Sequence, residues 1–295
     1  MKRLFVFGLG YSATTLARRL MAEGWHVAGT VRGAEKAGAL RAEGIEALVF
    51  DGTRAERPVA EAIAASSHLL SSISPGEEGD PVLMTHRDVI AGAHLKWLGY
   101  LSTIGVYGDS GGAWIDEDTV PEPPNARTVR RVAAEADWLV LGAGSGVPTA
   151  IFRIAGIYGP GRNQLLQLRN GTAKRLVKPG QVFNRIHVED IATSVAASMA
   201  RPPAEGRIYN LADDLPMPPQ DVVTFAAGLI GIEPPPETDF ATAELSPMAR
   251  SFYSSSKRVS NARIKDELGV KLRYPTYREG LMALHEAGDG KESRT

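Results

Sequence analysis

The chain has 295 residues, enough for one large or two modest domains with a substantial apolar core. Hydrophobic residues make up 43% and charged residues 23%, so the composition excludes the disordered and fibrous classes. The net charge of −1 argues against nucleic acid as a partner, because proteins that bind it carry a clear basic excess.

The sequence contains no cysteine, which excludes disulfides, thiolate nucleophiles and Cys-ligated metal sites. The six histidines form no pair at metal-ligand spacing, so we expect no metal site. No window approaches 18 uninterrupted apolar residues, and the first apolar run is too short for a signal peptide. We therefore expect a cytoplasmic protein that does not enter a membrane.

Up to about residue 155, short apolar runs alternate with segments of helical periodicity, which is typical of βαβ units. The predicted strands are 3–7, 25–31, 45–50, 68–73, 97–102 and 149–155. The predicted helices are 12–23, 33–43, 55–65, 80–94 and 126–142. Six strands with crossover helices predict an α/β fold with a doubly wound parallel sheet.

This alternation ends after Gly156, and nine of the 19 prolines fall between Pro202 and Pro247. The later elements are predicted as a loop at 156–182, a strand and helix near 183–200, a strand at 208–211, and helices at 219–230 and 257–268. We expect a sheet domain over 1–155, a smaller C-terminal cap over 156–286 interwoven with the sheet, and a frayed polar tail over 287–295.

A glycine-rich turn joins the first strand to the first helix. Gly8, Gly10 and Ala13 match the pattern G-x-G-x-x-G/A, with Tyr11 and Ser12 between them. The first glycine permits a tight turn, the second lets backbone approach a pyrophosphate, and the small third residue lets the helix pack closely on the strand. Because the turn lies between a clear strand and a clear helix, it predicts that residues 1–155 bind a dinucleotide.

The residues after the second and third strands bear on which dinucleotide binds. Sites that prefer NAD place Asp or Glu after the second strand, whereas a basic residue there accommodates the 2′-phosphate of NADP. Arg32 holds this place, so the sequence favours NADP(H) over NAD(H), although a solvated surface arginine is the alternative. Asp51 closes the third strand, where it either accepts from the adenine amine or caps the following helix.

Several separated segments carry a resemblance to a known family. They are the glycine-rich turn, LSTIGVYG at 101–108, DED at 116–118, RIAGIYGPG at 153–161 and RIHVEDIA at 185–192. In this order and spacing, over about residues 1–280, the chain resembles an extended or atypical short-chain dehydrogenase/reductase of the NAD-dependent epimerase/dehydratase group. The resemblance implies a Rossmann-type sheet and hydride transfer between nicotinamide and a carbon that bears a hydroxyl or carbonyl.

In that family a Ser or Thr binds the reacting oxygen, and a Tyr assisted by a Lys four residues later handles the proton. The resemblance places Thr103 at the Ser/Thr position. Ser102 lies beside Thr103, and Ser74 follows the fourth strand; the resemblance implies that both serines bind the cofactor. Arg127 and Arg131 stand where the Tyr and Lys are expected. A guanidinium stays protonated, so Arg127 cannot replace the phenol, whereas Arg131 can still bind a ribose hydroxyl or a phosphate of the cofactor.

Two other tyrosines are candidates to replace the missing catalytic phenol. Tyr253 and Lys257 have the Tyr-x-x-x-Lys spacing, but they lie past Gly156, outside the nucleotide-binding half, so we do not expect them to be catalytic. Tyr107 lies four residues after Thr103 at the exit of the fifth strand, where open α/β sheets bind ligands. We therefore name Tyr107 as the candidate substitute, with a packed tyrosine as the alternative.

Residues 138–188 contain seven Lys or Arg and no Asp or Glu, in a chain whose net charge is −1. Such a concentration of positive charge favours an anionic ligand, unless acids elsewhere in the fold balance it. The resemblance implies a nucleotide sugar or another small anionic substrate, and Arg162 and Arg185 are the candidates to bind its phosphates. It also implies a homodimer that forms through the helices at 80–94 and 126–142.

Two functions remain open from the sequence. The first is an enzyme that uses NADP(H) to transfer hydride to or from a phosphorylated or nucleotide-linked small molecule, with Thr103 holding the reacting oxygen. The second is a protein without catalytic activity that senses NADP(H) or binds a partner. The absence of the Tyr-x-x-x-Lys motif from its expected place favours the second function.

Overall fold

The computed structural model describes residues 2–291, except for the side chains of residues 248 and 249. Its strands are β1 (Arg3–Phe7), β2 (His26–Val31), β3 (Glu46–Val49), β4 (His68–Ser71), β5 (Trp97–Thr103), β6 (Trp114–Ile115), β7 (Thr149–Ile154), β8 (Gly156–Tyr158), β9 (Arg175–Val177), β10 (Arg185–His187), β11 (Arg207–Leu211), β12 (Glu237–Asp239) and β13 (Arg258–Val259). Its helices are α1 (Tyr11–Ala22), α2 (Ala34–Ala42), α3 (Arg57–Ala64), α4 (Pro81–Gly92), α5 (Ala126–Ser145), α6 (Gln164–Arg169), α7 (Val188–Ala200), α8 (Pro219–Leu229), α9 (Pro247–Phe252), α10 (Ala262–Asp266) and α11 (Tyr277–Glu286), with a 3₁₀ turn at Ile104–Val106.

Seven strands form one parallel sheet in the order β11-β7-β5-β4-β1-β2-β3. The chain winds outward from β1 in one direction through β2 and β3, and in the other through β4, β5 and β7. All carboxyl ends therefore meet at one edge, and a crevice forms beside β1, where the strand order reverses. The predicted Rossmann-type doubly wound sheet is confirmed, and the predicted elements up to residue 155 are present within three residues at each end.

Successive residues of β1 are buried on opposite faces of the sheet, because side chains alternate along a strand. Leu4 and Val6 belong to the apolar cluster that packs on α1 and α7, whereas Phe5 and Phe7 belong to the cluster on the side of α3, α4 and α5. All four side chains are fully buried. The two clusters hold the sheet between two layers of helices and so fix its carboxyl edge.

Local sequence signals set the start of the helices that flank the cleft. Asp80 caps α4, because its Oδ1 accepts from the backbone N–H groups of Val82 and Leu83, at 2.9 and 3.2 Å. Its Oδ2 accepts from Nε1 of Trp138 on α5 at 3.0 Å, so one carboxylate joins the two helices. A capping box of Asn125 and Thr128 starts α5 at the carboxyl edge of the sheet.

The second half of the chain serves both the sheet and the cap. Strand β11 is the outermost strand of the central sheet, and α7 packs on α1. The remaining segments build the cap, whose apolar core includes Leu165, Val222 and Leu281. This arrangement agrees with a cap interwoven with the sheet, and the boundary near residue 155 stays a prediction.

Two expectations about the second half are corrected. The helix predicted at 257–268 is instead β13 followed by the short helix α10, because Arg258 and Val259 pair with Trp114 and Ile115 of β6. The frayed tail predicted at 287–295 is wrong for residues 287–291. Oδ2 of Asp289 accepts from the backbone N–H of Gly161 at 3.1 Å, and residues 292–295 lie outside the described residues.

Candidate functional site

A cleft of about 720 Å³ opens at the carboxyl edge of the central sheet, beneath the cap. We call one side the sheet-side wall; it consists of Ser12, Ser72, Ser74, residues 101–105, and Pro124, Asn125, Arg127, Thr128 and Arg131 around the start of α5. We call the other side the cap-side wall; its residues are 156–158, Arg162, Gln164, 182–185, 251–255 and Lys257. Ile154 and Ala155 form the floor, where β7 ends.

The turn between β1 and α1 has the backbone that a dinucleotide requires. Gly8 has a φ of +84°, and a Cβ there would lie 2.9 Å from Cγ1 of Ile73, so only glycine fits. Gly10 is the N-cap of α1, and a Cβ built on it meets nothing nearer than 4.0 Å. No side chain caps α1, so its first backbone N–H groups are available to an anion. This cradle fits the pyrophosphate of a dinucleotide.

The three residues after Gly10 connect the turn to its surroundings. Ala13 is fully buried beneath the turn, and Ser12 is buried and lines the cleft. The hydroxyl of Tyr11 donates to the carbonyl of Pro160 at 2.9 Å, and the guanidinium of Arg162 lies 5.9 Å from its ring centroid. Tyr11 therefore links the glycine-rich turn to the cap.

Arg32 and Asp51 follow β2 and β3, at the same edge of the sheet as the glycine-rich turn. Arg32 is exposed. Oδ1 of Asp51 accepts from the hydroxyl of Thr53 at 2.7 Å and from its backbone N–H at 2.9 Å, and these bonds lower the pKa of Asp51. Asp51 therefore closes a turn at Thr53, and the N-cap of α3 is Glu56, so the predicted helix cap is wrong. The contact of Asp51 with adenine stays a prediction.

Thr103 lies at the carboxyl end of β5 and lines the cleft. Its Oγ1 accepts from the backbone N–H of Gly105 at 3.1 Å, which leaves its hydroxyl proton available to a substrate oxygen. The neighbouring Ser102 donates to Glu135, whose carboxylate binds Arg153 with Oε2 2.7 Å from Nη2. Both charged side chains are at most 4% exposed, so a buried ion pair fixes Ser102 from below.

Arg131 stands where the resemblance places lysine, and its side chain reaches the cleft along the end of β5. Its guanidinium donates to the hydroxyl of Tyr100 at 3.0 Å, to the carbonyl of Leu101 at 2.9 Å and to Oγ of Ser74 at 2.6 Å. Arg131 and Ser74 therefore form one polar surface of the sheet-side wall. Arg127 lines the cleft one helical turn earlier, so the place of the missing tyrosine holds a cation.

Tyr107 does not reach the cleft. Its side chain is 1% exposed, its hydroxyl donates to Oδ1 of Asn210 at 3.0 Å, and the guanidinium of Arg153 lies 4.8 Å from its ring centroid. Burial raises the pKa of the Tyr107 phenol, which is the opposite of what a proton-transfer group needs. The prediction that Tyr107 substitutes for the missing phenol is therefore wrong.

The two arginines predicted to bind substrate both lie in the cap-side wall. Arg185 is buried, and its Nη1 donates to the carbonyls of Phe183 and Met217 at 3.1 and 3.4 Å. Burial lowers the pKa of the Arg185 guanidinium, and the nearby Asp213 opposes this change. Arg162 approaches from the loop after β8, beside the ring of Tyr11. The structure thus brings both arginines to one cleft, and their role toward a substrate stays a prediction.

The segment 253–257, which lies outside the nucleotide-binding half of the sequence, also lines the cap-side wall. Tyr253 and Lys257 are 8% and 6% exposed, and both line the cleft. Position along the chain does not indicate this placement, because β13 pairs with β6 and carries the preceding residues back over the sheet edge. The absence of a catalytic role for Tyr253 stays a prediction. The signal that could have found Lys257 was the Tyr-x-x-x-Lys spacing itself.

The described residues that line the cleft include five cationic side chains and no Asp or Glu. The cationic residues are Arg127, Arg131, Arg162, Arg185 and Lys257. A concave site with one sign of charge concentrates ligands of the opposite sign. The cleft therefore selects an anion beside the dinucleotide cradle.

Residues 2–291 contain no group of three or more His, Asp or Glu side chains that could hold a metal ion. Over the same residues, no helix has the length and apolar character that crossing a membrane requires.

The chain was compared with protein-family models and with known proteins. The model of the NAD dependent epimerase/dehydratase family matches residues 4–212. Protein YeeZ of Escherichia coli strain K12 is 28% identical over 291 residues, which cover 93% of this chain and 97% of YeeZ.

Solved structures share the fold of this chain. A functionally unknown conserved protein from Silicibacter pomeroyi is 49% identical with a TM-score of 0.87, and the match covers 98% of this chain and 100% of that one. A UDP-glucuronic acid 4-epimerase from Bacillus cereus, solved with UDP-glucuronic acid and NAD, is 16% identical with a TM-score of 0.78. That match covers 96% of this chain and 98% of the epimerase chain.

Proposed function

Because the chain belongs to the NAD dependent epimerase/dehydratase family, we propose that it binds NADP(H) and transfers hydride to or from an anionic, nucleotide-linked small molecule. The observation that carries the proposal is the charge of the cleft. Five cationic side chains and no carboxylate among the described lining residues adjoin an uncapped, glycine-lined helix N-terminus. The first feature selects an anionic substrate, and the second selects a dinucleotide.

The cofactor would lie along the sheet-side wall. Gly8 and Gly10 would hold its pyrophosphate on the N-terminus of α1, and Arg32 would bind the 2′-phosphate. Ser74 and Arg131 would bind the ribose next to the nicotinamide, because they form one hydrogen-bonded pair on that wall. A bound nicotinamide supplies or accepts the hydride, and the chain has to orient the substrate and manage the proton.

The substrate would lie between the two walls. Arg162 and Arg185 would bind its phosphates, because both are cationic and line the cap-side wall. The Thr103 hydroxyl would donate to the reacting oxygen, because the bond from Gly105 uses one of its two lone pairs and leaves its proton available. The nucleotide-sugar complex of the structurally similar Bacillus cereus epimerase supports this class of substrate.

A second candidate function is a non-catalytic sensor of NADP(H). The observation that favours it is Arg127, which lines the cleft where the resemblance places the catalytic tyrosine. A guanidinium cannot give up a proton at neutral pH, so this position is lost to acid–base chemistry.

Turnover by the wild type and by Thr103→Ala separates the two functions. We expect NADPH oxidation with a member of a panel of nucleotide sugars and keto compounds. Thr103→Ala should lower kcat by about 100-fold or more, as removal of a donor to a developing oxyanion does, and should leave NADPH affinity unchanged. NADPH binding without oxidation by any member of the panel, with no kinetic difference in Thr103→Ala, would establish the sensor instead.

We also propose a cytoplasmic homodimer. Met84 of α4 and Val129 and Val140 of α5 are apolar side chains that are 51–65% exposed, and α4 and α5 are neighbours in the fold. A monomer in analytical ultracentrifugation would contradict the proposed homodimer and would leave the proposed activity unaffected.

A further inference from the structure

Lys257 is a buried amine in the wall of the cleft. Its side chain is held among the residues of the cap-side wall, and Nζ lies 2.8 Å from Oγ of Ser255, which also lines the cleft. No carboxylate in residues 2–291 comes within ion-pair distance of this amine. Buried lysines are normally paired with an acid, so the position needs an explanation.

Side-chain hydrogen bonds fix Lys257 against the end of the sheet. Nδ2 of Asn184 donates to the Lys257 carbonyl at 2.9 Å, and Oδ1 of Asn184 accepts from the backbone N–H of Val259 at 2.8 Å. The Asn184 carbonyl in turn accepts from the N–H of Gly156 at 3.1 Å, just beyond β7. Ser256 adds a bond from its backbone N–H to Asp109, at 2.7 Å. Lys257 is therefore held at a fixed place beside the cleft floor.

The surroundings of Lys257 suit a group that changes its protonation state. Burial lowers the pKa of the Lys257 amine, and the charge of Asp109 only partly opposes this effect. The Ser255 hydroxyl can accept a hydrogen bond from the ammonium or donate one to the neutral amine. Both protonation states therefore have a hydrogen-bond partner.

The other ionisable groups of the cleft are less suited to proton transfer. The four arginines of the lining stay protonated. Tyr158 and Tyr253 also line the cleft, but burial raises the pKa of both phenols, away from neutrality. Among the described residues that line the cleft, burial lowers the pKa of two cations, Arg185 and Lys257, and only the lysine amine can lose its proton.

We infer that Lys257 is the proton-transfer residue of this cleft and takes over, from the opposite wall, the task of the missing tyrosine. The inference rests on the proposed function. During substrate oxidation the C–H bond breaks and its hydride goes to C4 of the nicotinamide of NADP⁺, while the O–H proton passes to the lone pair of Nζ. In the reverse direction the Lys257 ammonium returns the proton to the carbonyl oxygen as hydride arrives at carbon, so atoms and electrons balance.

Two variants of Lys257 separate proton transfer from charge. Lys257→Met removes the amine, whereas Lys257→Arg keeps a cation that cannot be deprotonated. Because general acid–base catalysis contributes about 100- to 10,000-fold, both variants should lose kcat by a factor in that range. Both should keep the NADPH affinity of the wild type and a cooperative thermal unfolding transition, and Lys257→Arg should also keep the KM. Lys257→Met should melt no lower than the wild type, because it removes a buried unpaired amine. Lys174→Met, at an exposed lysine of the cap, is the matched control and should keep full turnover.

The pH dependence provides a readout that a merely structural role would not change. Competitive acetylation of the wild-type protein, followed by peptide mass spectrometry, gives the inflection of labelling rate against pH for each lysine. We expect the inflection of Lys257 to lie below that of the exposed Lys36. The value of kcat/KM for substrate oxidation should rise with pH through the same inflection, because kcat/KM reports ionisations of the free enzyme.

Full turnover by Lys257→Arg, or an inflection of Lys257 equal to that of Lys36, would overturn the inference and leave the proposed function intact. NADPH binding without turnover by the wild type would overturn both. The two failures are therefore distinguishable.

Discussion

The sheet-side wall and the cap-side wall are held in place by different kinds of contact. The sheet-side wall follows the register of parallel strands and the capped start of α5, and the buried pair of Glu135 and Arg153 supports it from below. The cap-side wall consists of short strands, helix ends and loops from distant parts of the chain. Side chains such as Asn184 hold these segments by bonds to the backbone about 75 residues away.

This difference shows how one cleft can combine a cofactor site of a common kind with a substrate site that is particular to this chain. The sheet-side wall presents the backbone and hydroxyl groups that any dinucleotide needs, at positions fixed by strand geometry. The cap-side wall carries Arg162, Arg185 and Lys257, whose placement depends on individual contacts between distant segments of the chain. Under the proposed function, substrate choice would therefore depend on the cap side and cofactor binding on the sheet side.

The largest expected effect is a loss of stability when the buried ion pair beneath the sheet-side wall is broken. Glu135→Gln keeps the shape of the side chain but leaves the buried charge of Arg153 without a counter-ion. The free energy of unfolding should fall by about 3–5 kcal/mol in denaturant titration, as for other broken buried ion pairs. Asp137→Asn on the same helix is the control, because its contact with Arg87 is 3.9 Å long and exposed, and it should cost at most about 1 kcal/mol. Similar losses in the two variants would show that burial of the Glu135 pair does not matter.

A smaller effect tests the junction of the cap-side wall with the sheet. His187 is buried at the N-cap of α7, where its Nδ1 accepts from the N–H of Glu189 at 3.2 Å. Burial, with the nearby charge of Arg273, lowers the pKa of His187 to about 4. The unfolded chain then binds more protons than the folded one, so stability is lost as pH falls from about 6.5 toward about 4.

His187→Asn should remove this part of the acid sensitivity, because asparagine also caps helices and does not titrate. The wild type should lose more stability than the variant between pH 7 and pH 4.5, by at most about 3 kcal/mol, since one unit of pKa corresponds to about 1.4 kcal/mol. The comparison uses differences in the free energy of unfolding, so lost ring contacts with Tyr158 and Tyr274 cancel. Equal acid sensitivity in the two proteins would contradict the lowered pKa.

The two walls also differ in how far the sequence predicts them. The glycine-rich turn, Thr103 and Arg131 follow from strand and helix periods, because their places depend on local regularity. The course of residues 251–257 depends on the pairing of β13 with β6 across more than 140 residues, and no local period encodes it. The sequence also does not predict the position of Tyr107, for a related reason. Asn210 on β11 accepts a hydrogen bond from the Tyr107 hydroxyl and holds the ring beneath the sheet edge rather than in the cleft.

A fluorescence titration of NADPH and NADH measures the proposed preference of the sheet-side wall for NADP(H) over NAD(H). The wild type should bind NADPH more tightly than NADH. Arg32→Ala should weaken NADPH binding by about 10- to 100-fold, in line with the loss of a charged hydrogen bond worth about 1.5–3 kcal/mol, and should leave NADH binding nearly unchanged. Equal affinities for the two cofactors, or equal losses in Arg32→Ala, would contradict the NADP(H) assignment, and no binding of either would contradict the proposed function as a whole.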